Sequence, residues 1–223
     1  NITVGPIYTD EDVRDLPGTD SVPGQWPYLR GTRPGAGWLV AQEILLPTAE
    51  EFNTAVRSDL DRGQSAVNLV LDRAGLKGQD PDQVPAADVG AGGTSIASLP
   101  DLETALDGID LKTVPLFVQT GSAALPVTSL LLALLNKRGV DPAELRGCLG
   151  SDPAYGLAQM GQLPLGLERL YDELAVISRW AAENAPRLKT LPVHEDPWHD
   201  GGADSGLSLG LTLASAVAKL RAM

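Results

Sequence analysis

Five short, largely apolar runs, each followed by a stretch of helical periodicity, constrain this chain more than any other feature of its sequence. The runs are Gly37–Ile44 (GWLVAQEI), Ala66–Leu71 (AVNLVL), Val114–Gln119 (VPLFVQ), Leu145–Leu149 (LRGCL) and Lys189–Val193 (KTLPV). They are too short for buried helices and too evenly apolar for strands with one wet face, so they predict parallel strands in a covered sheet. Between them the spacing predicts helices. One runs from Thr48 to about Arg62, opened by a Thr48/Glu51 capping box, and others cover Leu99–Leu106, Pro126–Lys137, Leu165–Glu183 and Ser205–Met223. Strand and helix in strict alternation give an α/β fold of about five units. A doubly wound sheet is complete with five strands, whereas a closed (β/α) barrel needs eight, and periodicity leaves both open. Residues 1–36, with Pro6, Pro17, Pro23, Pro27 and Pro34, read as an extended N-terminal arm, and 37–223 as the α/β domain.

The charge balance narrows the partners. Seventeen Lys plus Arg against 29 Asp plus Glu give a net charge of -12, which argues against nucleic acid. No apolar run reaches the roughly 20 residues of a membrane span. A single cysteine, Cys148, excludes an internal disulfide and makes a reducing cytoplasm the expected compartment.

Chemistry-bearing motifs are few. The glycine-rich run Val89–Ser95 lacks the lysine of a phosphate loop and reads as a flexible loop. HEDPWH, which starts at His194, is no zinc motif, because its second histidine is one place too far and Pro197 would break the aligning helix; no metal is expected. Both histidines lie on the polar loop after the fifth strand, where α/β proteins place their chemistry, and His199 is the first suspect.

Four longer stretches resemble one family. IYTDEDVRDLPGTDSVPGQWPYLRG (residues 7–31), ADVGAGGTSIASLPDLETALDGIDL (87–111), GSAALPV (121–127) and PWHDGGADSGLSLGLTLAS (197–215) are similar to segments of the adenosylcobalamin-dependent methylmalonyl-CoA mutases and their acyl-CoA mutase relatives. The resemblance implies a parallel (β/α)8 TIM barrel, of which about five units are present here. It further implies a CoA ester threaded along the barrel axis and a cobalamin domain far downstream.

Departures from the active pattern fall at its working positions. In TRPGAGWLVAQE the CoA-holding run has shrunk, with Ala41 where the family has Arg and Glu43 where it has the catalytic Tyr. In GCLGSD, Gly150 replaces a Gln, and Met160 stands where an Arg clamps the substrate carboxylate. Pro192 and Pro197 stand where the Asp of the family's DxHxxG cobalt-ligand motif would precede a histidine. The resemblance therefore implies no cofactor bound by this chain and adenosylcobalamin elsewhere in the complex. His199 matches a histidine that hydrogen-bonds the thioester carbonyl in active chains, and reads here as a remnant or structural residue. Gln42, Asp152 and His199 are the candidate substrate contacts, with Asp152 read chiefly as a helix cap. The short HDGGA form is that of the small, non-catalytic subunit of heterodimeric mutases, so a catalytic large subunit is the implied partner. The alternative is a catalytic barrel for a CoA ester without a free carboxylate.

Overall fold

A computed structural model describes residues 4–35 and 37–223; residues 1–3 and 36 of the predicted arm lie outside the described residues. The chain divides into two compact units, 1–39 and 40–223. In the first, the described residues carry one short helix, α1 (Asp10–Val13), whose first turn is closed by a Thr9/Asp12 capping box, and otherwise turns and irregular chain. Trp26 and Tyr28 meet edge to face there, with ring centroids 5.8 Å apart.

The second unit is a five-stranded parallel sheet: β1 (Glu43–Ile44), β2 (Val67–Val70), β3 (Leu116–Gln119), β4 (Gly147–Gly150) and β5 (Leu188–Lys189), in the spatial order β1-β2-β3-β4-β5. This order bears on what periodicity left open. A doubly wound sheet reverses its strand order at a switch point, whereas an unbroken order with right-handed crossovers puts every connecting helix on the same face. The helices that follow one another across the sheet are α2 (Ala49–Leu60), α4 (Leu99–Ala105), α5 (Ala124–Arg138), α7 (Leu167–Asn184) and α9 (Ser205–Ala222), packed in sequence as neighbours, α2 on α4, α4 on α5, α5 on α7 and α7 on α9. The additional helices α3 (Arg73–Leu76), α6 (Pro153–Met160) and α8 (Asp196–Asp200) lie on loops that leave the carboxyl ends of strands.

Register separates the two faces of the sheet. Ile44, Leu69, Val118 and Leu149 are paired in one row; all are buried, in a core shared with Phe52, Val56, Leu102, Leu131 and Leu135 of the helices. The adjacent row, Glu43, Asn68, Phe117, Cys148 and Lys189, is half-buried or exposed throughout. Because side chains alternate along a strand, the second row belongs to the face turned away from the core helices. A parallel sheet with helices on one side is the arrangement of a barrel wall.

Several boundaries differ from expectation. β1 and β5 are two residues each, against the eight and five predicted, because both are edge strands with one neighbour and Pro192 cannot donate to a ladder. α6 is an additional helix ahead of the predicted Leu165–Glu183 one, opened by Asp152 at its N-cap and Pro153 in its first turn and stopped by Gly161 at its C-cap. The Val89–Ser95 run is docked rather than loose. Gly90 N–H donates to Asp72 Oδ2 at 2.7 Å, Leu71 bridges to Thr94, and a Cβ on Gly93 would stand 2.3 Å from the Leu71 carbonyl oxygen.

Candidate functional site

The carboxyl ends of β4 and β5 bring together groups that are far apart in the sequence. Asp152 follows β4 and caps α6, its Oδ1 accepting the Tyr155 N–H at 3.4 Å, as the cap reading predicts. Its second oxygen accepts the His194 backbone N–H at 2.9 Å and lies 3.2 Å from His194 Nδ1. Lys219, in the last turn of α9, reaches Asp152 Oδ1 at 3.1 Å, with side-chain exposures of only 1% and 2% for the pair. The same ammonium donates to the Ser151 carbonyl at 3.4 Å and to the Pro192 carbonyl, so three of its protons tie α9 to the ends of two strands. Tyr155 stacks on the His194 ring at 4.4 Å between centroids, tilted by 32°.

Electrostatics follow from that packing. Burial pushes the Asp152 carboxyl up, but the His194 hydrogen bonds and the Lys219 charge outweigh it and hold the group at about 2. Burial pulls the Lys219 ammonium down, opposed by the Asp152 charge. The Tyr155 phenol is raised by burial first and then by the negative charges of Asp196, Glu43 and Asp152. Cys148, on β4, is likewise raised by burial, with Lys219 opposing.

A cleft of about 750 Å³ opens beside α6, between its end and α3. Leu76, Met160, Leu163 and Pro164 give it an apolar wall. Its cations, Arg73 and Lys77, both lean on Asp88, at 3.3 and 3.8 Å. Met160 therefore faces an open, partly apolar space.

The predicted contacts separate. Asp152 is in the cluster. His199 lies on α8, exposed, with no side-chain hydrogen bond among the described residues, whereas His194, discarded with the zinc motif, takes the place beside Asp152. Gln42 is exposed, and its amide donates to the Glu43 carbonyl at 3.2 Å. Lys219 was missed altogether, since a lysine in a helix's last turn reads as a solvated, dipole-compensating residue. Its one sequence signal is its place on the face that carries Ser208 and Thr212. Gly150, where the active pattern has Gln, has no room for a side chain: an added Cβ would lie 1.9 Å from the Thr190 carbonyl oxygen.

Comparison with known proteins meets this geometry from the other side. Residues 1–223 match the family model described as Methylmalonyl-CoA mutase. The chain is 30% identical over 226 residues to the methylmalonyl-CoA mutase large subunit of Streptomyces virginiae, covering 99% of this chain and 31% of that protein. It is 31% identical to the small subunit from the same organism, covering 100% and 32%. The methylmalonyl-CoA mutase of Escherichia coli K12 is 27% identical, over 99% of this chain and 32% of its own length. The chain thus spans about a third of these curated relatives, and large and small subunits match it equally well. With the family model matched from end to end and a parallel α/β sheet beneath it, this chain belongs to the methylmalonyl-CoA mutase family.

Proposed function

We propose that this chain is part of the barrel of a small, non-catalytic subunit in a methylmalonyl-CoA mutase complex, where it stabilises a catalytic large subunit. The complex would interconvert methylmalonyl-CoA and succinyl-CoA in the cytoplasm, with adenosylcobalamin supplying the radical chemistry. The observation that carries the reading is the closed backbone at Gly150. Where the active pattern has a Gln, the chain just after β5 stands 1.9 Å from an added Cβ, so no side chain fits at this position. Glu43 and Met160, in place of a Tyr and a carboxylate-clamping Arg, support the same reading. A substrate carboxylate without that cation forgoes about 1.5–3 kcal/mol. Neither histidine fits a cobalt ligand of the family pattern. His194 turns Nδ1 toward Asp152, and prolines precede both residues where that pattern has Asp.

A second reading draws on the cleft. Met160 lines it with Leu76, Leu163 and Pro164, a wall suited to the acyl group of a CoA ester without a free carboxylate. Calorimetric titration of the full-length chain, without its partner, separates the two. The structural-subunit reading expects no heat with methylmalonyl-CoA or with a branched, carboxylate-free acyl-CoA. Stoichiometric binding of the second ester alone would favour the catalytic barrel.

A further inference from the structure

The Asp152–His194–Lys219 cluster has a property that neither reading uses. Asp152 offers one oxygen to Lys219 and the other to His194. Lys219 pairs with one carboxylate oxygen of Asp152, and His194 Nδ1 stands 3.2 Å from the other, placed to donate an Nδ1–H to it. A neutral imidazole that donates from Nδ1 keeps its lone pair on Nε2. Among the described residues nothing hydrogen-bonds that nitrogen, and 30% of the side chain remains accessible. Stacking on Tyr155 and the hydrogen bond from the His194 backbone to the same carboxylate fix the ring.

We propose that His194 is a hydrogen-bond-accepting site for a neutral ligand group carrying an O–H or N–H, presented at the carboxyl end of the sheet by Asp152 and Lys219 as positioning residues. The ligand class follows from the charges around the cluster. Lys219 is consumed by Asp152, while Asp196 and Glu43 act on the stacked Tyr155, and Glu195 and Asp196 directly follow His194. The uncompensated charge is negative, so a carboxylate is repelled and an uncharged donor is admitted. The site holds whichever reading of the whole protein applies.

Nitrogen-15 spectra of the histidine-labelled full-length protein test it, with His194→Gln and His199→Gln assigning the signals. Free imidazole prefers the proton on Nε2. A charge-assisted bond to Asp152 reverses this, and His194 is expected in the Nδ1–H form by at least about tenfold. Asp152→Asn, which can donate where Asp accepts, is expected to flip His194 to the Nε2–H form. Acetamide should then shift the His194 Nε2 resonance in a titration that acetate at equal concentration leaves unmoved. An Nε2–H form in the unsubstituted protein, a tautomer indifferent to Asp152→Asn, or a response to acetate but not acetamide would overturn the proposal. A spacer histidine with only a structural role predicts the first two of these.

Discussion

Asp152 concentrates the energetics of the cluster into one residue. Its folded value of about 2 lies below the ordinary 3.8 because His194 and Lys219 together outweigh the cost of burial. A depressed folded value means that the unfolded chain binds more protons between the two. The associated stability is fully present above about pH 4 and is lost as the pH falls toward 2. Urea unfolding of the full-length protein followed from pH 5 to pH 2 should therefore show a loss of stability that is shallower in Asp152→Asn. Gly150 is the other decisive residue. Its Cβ space is filled by the Thr190 carbonyl group, so Gly150→Ala should cost at least the 1–3 kcal/mol typical of overpacking and lower the unfolding midpoint accordingly. Gly161→Ala, where nothing stands within 4 Å and only a φ of 72° is strained, should cost about 1 kcal/mol.

At the scale of elements, α9 is inside out for an isolated domain. Ser208 and Lys219, eleven residues or about three turns apart, are its buried residues, while Leu209, Leu213 and Leu220 are 59%, 58% and 62% exposed. A helix sheds water from its leucine stripe unless the other face has a stronger claim. Here the claim is the ion pair with Asp152, which sits at a strand end and must be met from this helix. The leucine face is then free for the further strand–helix units that an eight-unit barrel would add. In the full-length protein, Leu213→Gln should lower stability by about 2–3 kcal/mol in thermal or urea unfolding. A change within about 0.5 kcal/mol, normal for a surface position, would mean that nothing covers this face.

For the molecule as a whole, the unbroken strand order and one-sided helix layer place the wet row Glu43, Asn68, Phe117, Cys148 and Lys189 on the face a barrel would enclose. If the chain is the non-catalytic subunit proposed above, the closed Gly150 position leaves activity more than two substitutions away. Full-length Glu43→Tyr/Met160→Arg, given adenosylcobalamin and methylmalonyl-CoA without the partner, should produce no succinyl-CoA by chromatography. The sequence by itself determined the class of this protein. Runs such as AVNLVL and VPLFVQ allow little but buried parallel strands, Thr48 caps α2 where its chemistry says, and the PWHDGGAD and DVGAGG stretches point to the family. Local signals of this kind are legible because propensity, capping and periodicity act over a few residues. Tertiary structure alone decided the strand order, the shortness of β1 and β5, and the make-up of the candidate site. His199 carries the family motif yet lies exposed, whereas His194, Asp152 and Lys219 meet because β4, β5 and α9 converge. The pairing of Asp152 with a residue 67 places away is set by where three elements end, and no spacing along the chain encodes that.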